Sequence, residues 1–272
     1  MKFIPPVQRK EGTAFGRQYH YYVDGDNHRI PGVTTILNDG LPKPELVGWA
    51  ANITAEGAIN HWDQLADLPP AARLKELQSF RWETTNTAKD KGTQVHLYGE
   101  ALVQGIEIAN APIELRPYIE NYARFLDAWD VKPFFVEVVV ANYTHGYAGT
   151  LDLVADIQGL SGETERWLLD LKTGGRVYPE TALQLAAYRY AEAYIDNNGD
   201  EQPMIPVQYT GAIHVTIDDA TLIPTQSGPD ELLMFRLVQK VAEHKKDEDR
   251  LMMPTLQLPN GSKAHIVWED PQ

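Results

Sequence analysis

Three charged side chains in the middle of the chain stand in strands that are otherwise apolar. Asp152 lies in the run 150–157, and Asp170 and Lys172 end the run 166–172. Between the runs, Gly159, Ser161 and Gly162 mark the segment 158–165 as a connection, so the stretch predicts a β-hairpin. Side chains alternate along a strand, which places Asp170, Lys172 and Leu168 on one face and Leu171 on the other. Buried charges are costly unless paired or bound to metal. Asp152 and Asp170 together offer oxygen ligands to a divalent cation. Lys172 beside them could polarise a phosphate oxygen or orient a water.

The flanking elements carry further polar groups at useful spacings. After Gly174 and Gly175 a helix is expected, with Pro179 in its first turn, Glu180 at its positive end and Asn197, Asn198 and Gly199 as its stop. Gln184 and Tyr188 are four apart on it and share a face. Upstream, His96 and Glu100 have the same spacing in a helical segment. Such a pair can serve one metal, or the carboxylate can brace the imidazole; by itself it is also what an ordinary polar helix face looks like. Glu137 is an isolated acid in the run Phe134, Phe135, Val136, Glu137, Val138, Val139, Val140. A carboxylate there faces solvent or needs a partner.

A D-x-K pair alone carries little. The ordered set carries a resemblance: Gly92-Thr93-Gln94-Val95-His96, then Asp152, then Asp170-Leu171-Lys172-Thr173-Gly174, then Gln184-x-x-x-Tyr188. Over about residues 92–190 the chain resembles the PD-(D/E)XK nuclease superfamily, and more narrowly its RecB-like exonuclease branch. The resemblance implies a restriction-endonuclease-like α/β core and metal-dependent hydrolysis of DNA, in recombination, repair or replication. It implies that Asp152 and Asp170 hold Mg²⁺ or Mn²⁺ with His96 and the backbone carbonyl of Leu171; Glu100 is a further candidate ligand by its spacing from His96 alone. Lys172, Gln184 and Tyr188 are then the catalytic and positioning groups, with Glu137 in the first core strand near the site. An imidazole ligand favours Mn²⁺ over Mg²⁺. The expected partners are DNA ends, single-stranded or duplex, and a helicase or recombination protein; the expected setting is a bacterial or phage-infected cytoplasm. A structure-specific endonuclease and a catalytically idle DNA-binding module are the alternatives on the same core.

Composition sets limits around that reading. The chain has 272 residues, 43% of them hydrophobic and 23% charged, which suits a globular protein with a sizeable core. It has no cysteine, so disulfides, thiolate metal sites and the iron–sulfur cluster of some RecB-like members are excluded. The formal net charge of −14 argues against broad affinity for phosphates, which comes from Lys and Arg. Local basic clusters can still guide DNA: Arg73, Lys75, Arg81, Lys89 and Lys91, and Arg9, Lys10 and Arg17 near the start. No apolar run approaches the ~20 residues of a membrane span, and the segment 1–12 has no apolar signal core. There is no G-x-x-x-x-G-K-[ST], G-x-S-x-G or H-E-x-x-H, which disfavours a P-loop ATPase, a serine hydrolase of the elbow type and a zinc protease of that type.

Taken in order, residues 1–12 read as an irregular arm. A hairpin follows, 19–23 and 28–30 around the turn 24–27; its tyrosines suit sheet packing and, alternatively, base stacking. The threonines of 31–37 suit helix capping. Helices are expected over 45–65, 71–85, 87–104 (a separate helix or a continuation of the one before), 113–129 and 229–244. The stripe Tyr118, Ile119, Tyr122, Phe125, Leu126 and Trp129 marks core, and Leu232, Leu233, Leu237, Val238 and Val241 mark the apolar face of the last helix. Strands are expected over 131–142 and 206–217, with a return at 221–224; His214 near a strand end reads as structural. The run 245–250 reads as solvated and the tail 252–272 as loosely ordered. The sum is one mixed α/β domain, which the resemblance makes a nuclease, divided into an N-terminal hairpin and helical region (1–90), a core (91–220) and a C-terminal helix and tail (221–272).

Overall fold

The computed structural model describes residues 3–14, 17–159, 162–246 and 251–252. The chain opens with a small antiparallel sheet, β1 (Gln8–Ala14), β2 (Arg17–Val23) and β3 (Arg29–Ile30), with β2 in the middle. The turn between β2 and β3 is held by Asp24, whose buried carboxylate accepts hydrogen bonds from the amides of Ile4, Asp26 and His28. Four helices follow: α1 (Val33–Gly40), α2 (Glu45–Asn60), α3 (Trp62–Ala66) and α4 (Pro70–Val103). The 34 residues of α4 span about 50 Å at 1.5 Å per residue. Its N-terminal half packs on α2, where Gly57 meets the ring of Phe80 so closely that a Cβ would stand 2.2 Å from it. Its C-terminal half buries Val95 and Gly99 against the domain core. Next comes α5 (Arg116–Ala128).

The remaining strands build a seven-stranded mixed sheet: β4 (Lys132–Asn142), β5 (Tyr147–Gln158) and β6 (Thr164–Lys172) as an antiparallel meander, then α6 (Glu180–Arg189), β7 (Ala193–Ile195), β8 (Glu201–Pro203), β9 (Tyr209–Val215), β10 (Ala220–Pro224) and α7 (Pro229–Lys245). The spatial order is β10-β9-β6-β5-β4-β7-β8, and β9 lies parallel to β6, with α6 in the connection between them. Helices cover both faces. On one, α1, α6 and α7 pack through Ile36, Leu185 and Phe235; on the other, α4 and α5 pack through Val95, Tyr122 and Phe125. The architecture is mixed α/β with a central sheet between helices, as expected, and is compatible with a nuclease-like core. Among the described residues no helix is long and apolar enough to cross a membrane.

Several local expectations are corrected. The first arm is not irregular over its length: residues 8–14 pair with β2. Their sequence, Gln-Arg-Lys-Glu-Gly-Thr-Ala, is charged and unpatterned because β1 is a sheet edge, where charge prevents further pairing. No threonine caps α1; Gly32 is the N-cap, without a side-chain hydrogen bond. The segments 71–85 and 87–104 form one continuous helix, the second of the two alternatives, and α5 starts at Arg116, leaving Ile113 exposed. Helix α6 stops at Arg189 rather than near Gly199, because Ala193 and Tyr194 pair with the free edge of β4 and Gly199, at φ +85°, turns the chain back into β8. In α7 the buried face is Phe235, Val238, Gln239 and Ala242, while Leu233, Leu237 and Val241 are exposed. The apolar arc of that helix is wider than its contact, and Phe235 wins it by stacking edge-on against Tyr147 with centroids 5.1 Å apart. The stripe of α5 is core as expected, with Tyr118, Ile119, Tyr122 and Phe125 buried. Residues 253–272 of the tail and 247–250 before it lie outside the described residues, as do Leu160 and Ser161 in the β5–β6 connection.

Candidate active site

The site begins with a break in two strands. In β4, Phe135 and Val138 face the α1–α6–α7 side and Val136 the α4–α5 side, although strict alternation would put 136 and 138 together. In β5, Leu151 and Leu153 are split between the two sides in the same way. The pairs Val136↔Leu153 and Val138↔Leu151 stay in register, so both strands roll at the rung between them, which holds Glu137 and Asp152. Glu137 carries the roll in its backbone, with φ +51°, a left-handed conformation that a non-glycine residue adopts at a cost of about 1–3 kcal/mol. The result is two carboxylates side by side, facing His96 on α4. Ligand atoms of His96, Glu137 and Asp152 all lie within 4.8 Å of one another, and His96 Nδ1 stands 3.6 Å from Asp152 Oδ2.

The β5–β6 ladder ends at Leu153↔Leu169. Beyond it Asp152 Oδ2 takes over as acceptor for the amide of Leu171, at 2.8 Å. The contact present at Leu171 is therefore its N–H. Asp170 and Lys172 project to the other side, as alternation requires, where α6 meets them. Gln184 Nε2 donates to Asp170 Oδ1 at 2.8 Å, and Lys172 Nζ donates to Gln184 Oε1 at 3.2 Å. Lys172 Nζ also lies 2.6 Å from Asp170 Oδ2. That contact gives the buried Oδ2 its counter-charge. Tyr188, one turn on, is 2% exposed, is hydrogen-bonded to Gln184 and lies flat on Gly149, where a Cβ would stand 2.4 Å from its ring. Gly149 thus lets α6 approach the strand that carries Asp152. His214 holds the loop after β6, donating from Nε2 to the Gly174 carbonyl at 2.7 Å.

The electrostatics are those of an under-compensated acidic floor. Burial, with Asp152 and Glu100 nearby, pushes Glu137 up to about 8. Burial and the neighbouring Asp170 push Asp152 up to about 6, against the pull of His96 and Lys172. Burial works against the Lys172 ammonium, but Asp170 and Asp152 outweigh it and raise its pKa above that of an ordinary lysine. Glu100 lines the same cleft but stands outside the three-residue group, and its Oε1 accepts from Gln104. The arrangement therefore gathers the sequence-predicted residues into two adjoining sets: His96, Glu137 and Asp152 around one point, and Asp170, Lys172, Gln184 and Tyr188 beside it. The first set suits a divalent cation: a nitrogen and two carboxylates converge, and both acids are raised for want of positive charge.

Above this floor opens a cleft of about 1080 Å³. Its far wall includes Arg9, His20 and Tyr22 of the N-terminal sheet, along with Thr34 and Thr35 of α1. Arg9 is close enough to pull Glu137 back down. Tyr22 bonds through its hydroxyl to Thr150 Oγ1, 2.8 Å away and in the same strand as Asp152. In the sequence Arg9 is visible only as part of a basic cluster, His20 and Tyr22 only as part of an aromatic strand, and Thr34 and Thr35 only as capping candidates; no spacing ties them to Asp152.

No protein-family model matches the chain, and no curated protein does. Among solved structures, the crystal structure of SSO0001 matches with 16% identity over 50% of this chain and 58% of its own, at a TM-score of 0.26. The chain thus spans less than two thirds of that protein, and the likeness is too slight to bear on fold or function.

Proposed function

We propose that this protein is a divalent-metal-dependent deoxyribonuclease, and specifically an exonuclease of the RecB-like kind that works on DNA ends beside a helicase or recombination protein. The observation that carries the reading is the convergence of His96, Glu137 and Asp152 within 4.8 Å at the floor of an open cleft, beside a network in which half-buried Lys172 and Gln184 hold the buried Asp170. His96, Glu137 and Asp152 hold the cation, Mg²⁺ or Mn²⁺. When bound, such an ion lowers the pKa of water and offsets charge at the scissile phosphate. Lys172, close enough to Asp152 to pull its carboxyl down, is held by Asp170 and Gln184, and its raised pKa keeps it charged near neutral pH. Tyr188 fixes Gln184, and the Leu171 amide fixes the Asp152 carboxylate. The exonuclease mode rests on the family resemblance together with the ordered set His96, Gln184 and Tyr188.

The test is digestion of end-labelled linear single- and double-stranded DNA and of closed circular single-stranded DNA, with Mg²⁺, Mn²⁺ or EDTA. Loss of linear DNA alone, dependent on metal and abolished in Asp170→Ala and Lys172→Ala, is the expected result. Cutting of the circles would replace the exonuclease with an endonuclease. Cleavage that survives both substitutions, or no cleavage at all, would remove the reading.

A further inference from the structure

The cleft has two unlike walls. One is the face of α4 that carries His96 and Glu100. The other is β2, whose Tyr19, His20, Tyr21 and Tyr22 all line the opening. Tyr22 is spent on packing: it is 5% exposed, belongs to a small core with Val7 and Ile30, and is bonded to Thr150. Tyr19 and His20 are not so used, since both are exposed, and Tyr21 is half-buried. The Tyr19 and Tyr21 rings stand with centroids 5.8 Å apart and planes tilted by 34°. Gly12, the cross-strand partner of Tyr19, is what lets that ring lie down, because a Cβ there would stand 2.8 Å from it. The Arg29 guanidinium sits 4.0 Å over the Tyr21 ring and extends the row. The two-residue β3 pairs with Tyr22 and Val23, so among the described residues the stretch 19–21 has no strand on that side.

We infer that this wall stacks the unpaired bases of a DNA strand entering the cleft, so that the preferred substrate is single-stranded DNA or a frayed end; the inference rests on the nuclease reading above. Ring faces serve only bases whose own faces are free, which a duplex does not offer. With a net charge of −14, phosphate contacts alone give this chain little hold on DNA. Stacking needs no net charge, and the flanking cations Arg9 and Arg29 suffice to keep the backbone in place. The Tyr22–Thr150 bond joins the wall rigidly to the strand of Asp152, which fixes the distance between the gripped bases and the cation group.

The experiment is fluorescence anisotropy with a labelled dT20, a 20-nucleotide abasic strand of the same backbone and a 20-base-pair duplex, all in EDTA. The proteins are the full chain, its Tyr19→Ala/Tyr21→Ala form and its Tyr19→Phe/Tyr21→Phe form. The wild type should bind dT20 more tightly than either other probe. The alanine form, which removes two rings, should lose at least roughly 5- to 150-fold on dT20, the equivalent of about 1–3 kcal/mol for one stacked base, and nothing on the abasic strand. The phenylalanine form should keep wild-type binding, which separates lost rings from lost folding. Equal losses on dT20 and the abasic strand, an unchanged alanine form, or a failed phenylalanine form would overturn the inference. Digestion of the same dT20 with Mn²⁺ keeps the two readings apart. Cleavage with ring-independent binding sinks only this inference, and ring-dependent binding without cleavage sinks only the nuclease.

Discussion

The β5–β6 hairpin carries acids at both ends, and the two ends are settled in opposite ways. Near the turn, Asp156 faces its register partner Arg166 in a two-pronged ion pair, at 2.8 and 2.9 Å, and the guanidinium holds the carboxyl below its ordinary range. At the far end Asp152 and Asp170 share a single nearby lysine, Glu137 leans in from β4, and burial drives Glu137 and Asp152 up. The same strands that complete a charge pair at their exposed end leave one incomplete where they are covered. The acidic cluster, kept at the expense of a left-handed Glu137, is short of the counter-charge that Asp156 already has in Arg166.

Substitutions should separate the ends most sharply in catalysis. Asp152→Asn or Lys172→Ala should lower metal-dependent cleavage on the order of 10²–10³-fold, while Asp156→Asn leaves it unchanged, measured as the rate of loss of labelled linear DNA. A comparable loss in Asp156→Asn would erase the distinction.

Cation binding comes next in size. At about a hundred times its dissociation constant, Mn²⁺ should stabilise the fold by about 2.7 kcal/mol, a rise in Tm of roughly 5–10 °C in thermal melts. His96→Ala and Glu137→Ala should lose that rise and Asp156→Ala should keep it. A rise that survives in Glu137→Ala would move the cation elsewhere.

The pH dependence should differ in sign between the ends. The folded pKa of Glu137, about 8, stands above its ordinary 4.5, so its contribution to stability is complete below about pH 4.5 and drains away as pH climbs through 8. Asp156, held below its ordinary 3.8, contributes above that pH and loses its contribution as pH falls through the lowered value. In EDTA, Glu137→Gln should therefore gain on the wild type steadily between pH 5 and 8.5, and Asp156→Asn should lose its disadvantage only in acid. A gap between wild type and Glu137→Gln that does not change with pH would show that Glu137 keeps its ordinary pKa. The smallest effect belongs to Arg166→Ala, whose partly exposed pair is worth less than about 1 kcal/mol in denaturant unfolding.

Much of this was present in the chain itself. The parity of Asp170 and Lys172, the β5–β6 hairpin around Gly159, the shared face of Gln184 and Tyr188 and the apolar stripe of α5 follow from spacings of two and four residues, which neighbours in sequence impose on one another. The isolated acid Glu137 was visible too, as a charge with no local reason. What spacing could not contain is the register that sets Glu137 beside Asp152 and the roll of both strands at that rung. Nor could it contain the early end of α6, where Ala193 and Tyr194 find the edge of β4, or the swing of the N-terminal sheet over the cleft. Each of these depends on which distant segments touch, and the sign of one φ angle or the partner of one strand edge is decided by those contacts and not by local periodicity.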